Sequence, residues 1–277
     1  MIALQTKMQA GSECEIEALL GTIYAQYHYD FRHHVRSVMQ RRLARACNVL
    51  RIPDLKMLRE RIQDPAVFAQ VLGFLTIQVS DLFRDPPYFR AIREEVVPHL
   101  ATYPSIKIWV AGCGAGEEAY SFAIMLAEEG LLDRTLIYAT DIDPESLRIA
   151  SLGTYALDRI QGFTRNYFEA GGRASLSDYF TTAYGHAAFV PSLRKHIVVA
   201  DHCVATDSAF AEVQLVSCRN VLIYFDRHLQ DRALGLFQQS LTRRGFLGLG
   251  SKEGLSGSAH ETQFVPFARQ ERIYRSR

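Results

Sequence analysis

Four short segments of this chain place glycine and polar residues where an apolar run stops, and each suits a particular chemistry. The first is Gly112-Cys113-Gly114-Ala115-Gly116-Glu117-Glu118, which follows the apolar run IKIWVA and opens a helix-like stretch. Glycines there let the backbone pass close to a ligand with no Cβ in the way, although the same pattern also serves a plain tight turn. The second is Asp141, at the end of the next apolar run and 25 residues beyond Gly116. In a doubly wound sheet ligands sit beyond the carboxyl ends of strands, where an acid can accept hydrogen bonds from both ribose hydroxyls. A lone Asp could instead cap the helix that Pro144 begins, but Asp143 is better placed for that duty. The third is Ser217-Cys218-Arg219-Asn220-Val221-Leu222-Ile223-Tyr224-Phe225-Asp226, an apolar strand running into a donor-rich Arg-Asn pair and then an aromatic pair. The fourth, Gln78-Val79-Ser80-Asp81-Leu82-Phe83-Arg84-Asp85-Pro86, is by itself an interhelical loop.

Charge at the glycine turn separates two nucleoside ligands. A dinucleotide needs its pyrophosphate on the positive helix N-terminus, and here two carboxylates, Glu117 and Glu118, occupy that turn. S-adenosylmethionine has no phosphate and carries a sulfonium and an α-amino group, so acidic residues suit it. One of the two glutamates can still be explained by the helix dipole alone. The five cysteines are scattered, with no CxxC pair and no histidine cluster at ligand spacing, a poor basis for a disulfide framework or a metal site. Net charge is +1, so no global field points to nucleic acid or to a membrane surface. No run approaches the ~18–20 apolar residues of a spanning helix, and the first fifteen residues lack the apolar stretch of a signal peptide. The chain reads as cytoplasmic.

The elements that must position these residues change character along the chain. Up to about residue 95 the periodicity is helical: Phe31, Val35, Val38, Met39, Leu43, Cys47 and Leu50 recur at three- and four-residue steps. Asp54 and Asp64-Pro65 read as helix starts, and Pro86-Pro87 opens a further helix that Pro98 should disturb or end. From residue 96 on, strand-like runs (IKIWVAG, TLIYATDID, HIVVAD, VQLVSC, RGFLGLG) alternate with helical patterns. That alternation predicts an α/β domain with a doubly wound, mostly parallel sheet and helices on both faces. The stretch 160–195 breaks the rhythm and is too long for a structureless loop.

The segments FLTIQVSDLFRDPPYF, IWVAGCGAGEEAYSFA, YATDID and SCRNVLIYFD, in this order and spacing, resemble the successive signatures of the chemotaxis receptor methyltransferases, the CheR family. YDFRHHVRSVMQRRLARAC also resembles that family's N-terminal helical segment, so the likeness runs from about residue 28 to 255. It implies a helical N-terminal domain (1–95), a class I, Rossmann-like methyltransferase domain (96–277), and a small antiparallel β-subdomain inserted at about 160–195. It implies that Gln78, Ser80 and Arg84 close over the cofactor, Gln78 and Ser80 replacing the commoner Asn and Thr with the same functional groups. Leu82 stands where a second Phe is usual, a packing change. The resemblance places Gly112, Gly114, Gly116 and one of Glu117 and Glu118 at the methionine end. Asp141 falls on the ribose, Asp201 and His202 on the adenine, Arg219, Asn220 and Val221 under the cofactor, and Tyr224 near the transferred methyl.

The activity so implied is methyl transfer from S-adenosylmethionine to glutamate side chains of chemoreceptors, yielding S-adenosylhomocysteine. A glutamate, with a pKa of about 4.3, is already ionised at neutral pH and needs no general base. Alignment and desolvation must then carry catalysis. Arg84 is the expected holder of the substrate carboxylate, through its planar fork, with Tyr224 orienting from the other side. Arg32, Arg36, Arg41, Arg42, Arg45 and Arg51 lie in 31–51 with no acid among them. They form either a solvated helix face or a docking surface for an acidic, helical receptor region; nucleic acid suits the composition poorly. The short insert, without a clear glycine-rich loop, points to binding that does not depend on a receptor tail. Two other readings share the cofactor: a methyltransferase of the same fold with another acceptor, and a non-catalytic S-adenosylmethionine-binding regulator.

Overall fold

The computed structural model describes residues 13–76 and 80–277, which fall into two compact units. One comprises the described residues up to 76 together with Tyr224–Leu229; the other comprises 80–223 and 230–277.

The smaller unit is helical, with α1 (Glu13–Tyr27), α2 (Arg36–Leu50), α3 (Leu55–Arg61) and α4 (Pro65–Leu75). Its caps are local chemistry. Asp54 accepts a hydrogen bond from the Met57 amide at 2.7 Å, and Asp64 accepts one from Ala66 at 2.9 Å with Pro65 in the first turn. The apolar spacing of 31–50 is helical only from Arg36 on. Before it, His34 pairs with Phe225 in an isolated antiparallel bridge, and the Val35 amide donates to the Tyr224 carbonyl at 2.8 Å. Met39, Leu43, Ala46 and Cys47 of α2 are buried, together with the guanidinium-bearing Arg42.

The larger unit starts with α5 (Pro86–Ala91), which runs through a π-helical turn, Ile92–Val96, into α6 (Val97–Leu100). Pro98 therefore does not end this helix. A proline in a helix has no amide hydrogen to donate, and here the Val97 amide reaches back five residues to the Ile92 carbonyl, widening the turn that precedes it. The expected boundary at residue 95 also differs from the observed division. Tyr88, Phe89, Ile92, Val96 and Leu100 are buried in the core of the larger unit, so this helix belongs with the sheet.

Seven strands form the main sheet in the order β6-β2-β1-β7-β8-β10-β9. They are β1 (Ile106–Ala111), β2 (Thr135–Asp141), β6 (Ile197–Asp201), β7 (Val213–Cys218), β8 (Leu241–Leu249), β9 (Phe264–Ala268) and β10 (Ile273–Ser276). The first five pair in parallel; β10 lies antiparallel to β8 and to β9. All five strand-like runs in the sequence are strands. The antiparallel pair at 264–276 extends the sheet beyond them, and β9 accommodates Pro266 because it is an edge strand. The crossover helices are α7 (Glu117–Glu128), α8 (Pro144–Leu152) and α11 (Arg227–Ser240). Alternation along β1 buries both faces of the sheet. Ile106, Ile108 and Val110 join the cluster containing Phe122 of α7, while Trp109 meets Phe237 of α11 with ring centroids 5.5 Å apart.

The inserted sheet, in the order β3-β5-β4, is antiparallel and small: β3 (Thr154–Ala156), β4 (Phe180–Ala183) and β5 (His186–Phe189). Much of the weakly periodic stretch before β4 is a helix, α9 (Ile160–Glu169), and α10 (Pro191–Arg194) leads back towards β6.

Candidate functional site

The glycine turn after β1 is built on positive φ angles that favour glycine, +70° at Gly112, +54° at Gly114 and +93° at Gly116. Its neighbours are close. A Cβ on Gly112 would collide with the Val221 side chain, and one on Gly116 would come within 2.8 Å of Ala150 Cβ. A Cβ on Gly114 would meet only Ser80 Cβ, at 3.9 Å, so Ser80 and the turn face one another. The Gly114 amide donates to Asp141 Oδ2 at 2.8 Å, and Asp141 Oδ1 accepts from the amides of Ile142 and Asp143 at 2.8 and 3.0 Å. Burial raises the Asp141 pKa, with these three amides pulling the other way. Asp141 pairs in register with Asp201 of β6, and the His202 amide donates to the Asp141 carbonyl. Asp143 accepts from the Ser146 amide and caps α8.

The two adjacent glutamates of α7 point to different networks. Glu118 has both oxygens taken: Oε1 accepts from Ser217 Oγ at 2.6 Å and Oε2 from Arg219 Nη1 at 3.0 Å. Arg219 Nη2 bonds Asp85 at 2.6 Å, its guanidinium lies 4.1 Å from the Tyr88 ring centroid, and the Tyr88 hydroxyl bonds Ser217 at 2.8 Å. Glu117, 1% exposed, binds Arg159 Nη1 through Oε1 at 2.6 Å and leaves Oε2 buried without a partner among the described residues.

Arg84 stands on a bent turn. Its amide donates to the Asp81 carbonyl at 3.3 Å, and both flanking residues have positive φ, 51° at Phe83 and 56° at Asp85. For a buried Phe this is a strained conformation, of the kind that persists only when the surroundings over-determine it. The surroundings do so: the Phe83 amide donates to Ser121 Oγ at 2.7 Å, Asn166 donates to the Leu82 carbonyl at 3.1 Å, and Asp85 is held by Arg219. Beyond β7, Asn220 has φ of 62°, and Glu253 accepts from the amides of Asn220 (3.0 Å), Val221 (2.8 Å) and Gly250 (2.6 Å).

Of the residues singled out from the sequence, Ser80, Gly112, Gly114, Gly116, Glu117, Glu118, Asp141, Asp201, His202, Arg219, Asn220 and Val221 gather at the carboxyl edge of the larger unit's sheet. Arg84 shares their unit and the loop that begins with Ser80. Gln78 lies outside the described residues. Tyr224 belongs to the smaller unit, where the Arg42 guanidinium lies 4.6 Å from its ring centroid. Arg42 is thus a correction to the basic stripe: it is buried, donates to the Leu75 carbonyl and is not part of a solvated face. Arg32 and Arg36 are paired with Asp30 and Glu17, and Arg41, Arg45 and Arg51 are exposed. Arg159, Glu253, Asp85 and Tyr88 were missed. Their contacts bridge long sequence separations, and only Glu253, an acid in a glycine-flanked loop, carried any local signal.

Residues 78–270 match the family described as CheR methyltransferase, SAM binding domain, and residues 15–76 match CheR methyltransferase, all-alpha domain. The chain belongs to the CheR methyltransferase family. A Pseudomonas putida protein named as a methyltransferase, Cher3, is 51% identical over 96% of this chain and 98% of its own length. The chemotaxis protein methyltransferase of Listeria monocytogenes is 29% identical over 71% of this chain and 73% of its own. That of Salmonella typhimurium is 27% identical over 92% and 89%.

The cofactor of this CheR-family enzyme is S-adenosylmethionine, and the side chains present fit it. The molecule offers hydrogen-bond donors at its α-ammonium, ribose hydroxyls and adenine amino group. The turn region holds matching buried acceptors with no partner among the described residues, Glu117 Oε2 and Asn220 Oδ1. A third is His202 Nδ1: Nε2 lies 3.0 Å from the Ser208 carbonyl, which can only accept, so in the neutral ring Nδ1 is the acceptor. Leaving such a group unmet costs about 1–3 kcal/mol, and a donor-rich ligand removes that cost.

Proposed function

We propose that this CheR-family methyltransferase esterifies glutamate side chains of chemoreceptors in the cytoplasm, giving glutamyl methyl esters and S-adenosylhomocysteine. The observation that carries the proposal is the burial of the ionisable groups at the glycine turn and at the end of β7. Among the described residues of the larger unit, the thiols of Cys113 and Cys218 and the Tyr88 phenol are all pushed up by burial. None of them is poised to take a proton near neutral pH. A nucleophile used here should arrive already ionised, and a carboxylate with a pKa of about 4.3 does.

S-adenosylmethionine supplies an electrophilic sulfonium methyl. The remaining work falls to the protein's own residues. Glu117 would hold the amino-acid end of the cofactor through the oxygen that Arg159 leaves free, and Asp141, beside the Gly114 amide, would hold its ribose. Arg84, fixed by the strained turn, orients the substrate carboxylate in line for displacement. Its assignment, like that of Tyr224, comes with the family motif. The exposed Arg41, Arg45 and Arg51 offer complementary charge to an acidic helical receptor segment.

The test is transfer of labelled methyl to a receptor cytoplasmic fragment, followed by alkali. Glutamyl esters release volatile methanol. Label that stays bound in alkali, or appears only on small molecules, would overturn the glutamate acceptor.

A further inference from the structure

Arg159, in the short 3₁₀ turn that follows β3, stands outside every motif that marks the cofactor site, yet it touches two of its members. Nη1 bonds Glu117 Oε1 at 2.6 Å; Nη2 donates to the Ser80 carbonyl and lies 3.2 Å from Asp81 Oδ1. The guanidinium lies 4.7 Å from the Phe163 ring centroid, and the nearby Tyr155 hydroxyl donates to the Ala115 carbonyl of the glycine turn at 2.7 Å. Two arms of one planar group therefore tie the helix start after the glycine turn to the loop that carries Arg84. A lysine ammonium lacks the rigid, divergent arms that meet both partners here.

We infer that Arg159 is a positioning residue for the amino-acid end of the cofactor. By occupying Glu117 Oε1 it fixes the carboxylate and reserves the unpartnered, buried Oε2 for the α-ammonium, and it holds the Ser80 loop against the same carboxylate. Without it, a carboxylate 1% exposed loses the one cationic partner it has among the described residues and turns away from the site. The inference rests on Glu117, not Glu118, being the cofactor contact.

Calorimetric titration of the full chain with two ligands tests it: S-adenosylhomocysteine, and 5′-methylthioadenosine, which lacks the ammonium and carboxylate. Arg159→Gln is expected to weaken S-adenosylhomocysteine by about ten- to a hundredfold while methylthioadenosine changes less than about twofold. Arg159→Lys should recover part of the loss. Equal weakening of both ligands, or no weakening of either, would overturn the positioning role. If Arg159→Gln fails to fold, Arg159→Lys decides by the same comparison, with selective loss supporting the role and unselective or absent loss refuting it. Native protein that binds neither ligand would sink the cofactor site itself, and the inference with it.

Discussion

Glu117 and Glu118 are neighbours in sequence, and their surroundings give them unlike duties. Glu118 neutralises Arg219, whose side chain is 1% exposed, and bonds Ser217, so it locks α7 to the end of β7. Glu118→Gln should therefore cost about 1–3 kcal/mol of stability, because the buried guanidinium keeps Asp85 but loses its second carboxylate, measured by urea unfolding. Glu117→Gln should instead weaken S-adenosylhomocysteine about ten- to a hundredfold with a smaller loss of stability, because its partner Arg159 is 34% exposed. Equal effects of the two variants on affinity would refute this division. Arg84→Ala and Tyr224→Phe should each cut methyl transfer sharply, by about a hundredfold for Arg84, with unfolding midpoints near native. Wild-type rates in both would remove them from the reaction. That an acid pair sits at the turn was legible in sequence. Which acid is spoken for was not, because Ser217 and Arg219 reach Glu118 across about a hundred residues.

The segment 31–35 shows how an element can be misread by pattern alone. Its apolar spacing continues that of α2, but the chain there is held by the bridge from His34 to Phe225 rather than by helical bonds. His34 lies between the rings of Phe31 and Phe225 at 5.1 and 5.0 Å, and its Nδ1 is buried with no partner among the described residues. Burial, with the Arg42 charge assisting, lowers its pKa to about 4; Asp30 and Asp226 oppose and His33 assists weakly. The native state thus binds its proton less readily than the unfolded chain, whose His titrates near 6.5. Stability from this group is complete above about pH 6.5 and is lost as pH falls towards 4. Unfolding free energies from urea titrations should fall across that window by at most about 1.4 kcal/mol per pH unit, and His34→Leu should flatten the slope. An unchanged slope in the variant would show that other groups set the acid response.

For the whole chain, a ligand that binds only the native state stabilises it. S-adenosylhomocysteine at a hundred times its Kd should add about 2.7 kcal/mol, a rise in melting temperature of about 5–10 °C for a unit of this size. No rise would contradict the cofactor site. Receptor binding should weaken with added salt and with Arg41→Ala plus Arg45→Ala, while S-adenosylhomocysteine affinity stays unchanged; binding indifferent to both would remove the basic helix as the docking surface. No helix among the described residues is long and apolar enough to cross a membrane. The sequence by itself determined the alternation of strands and helices, the glycine turn, Asp141, the caps at Asp54, Asp64 and Asp143, and the cofactor class. All of these depend on neighbours within a few residues or on motif order. Only the tertiary structure decided that Glu118 is internally satisfied, that Arg42 is buried, that β9 and β10 close the sheet, and that Arg159 joins the Ser80 loop to Glu117. Each of those outcomes depends on which distant side chains come within hydrogen-bonding reach, and neither spacing nor charge along the chain encodes that.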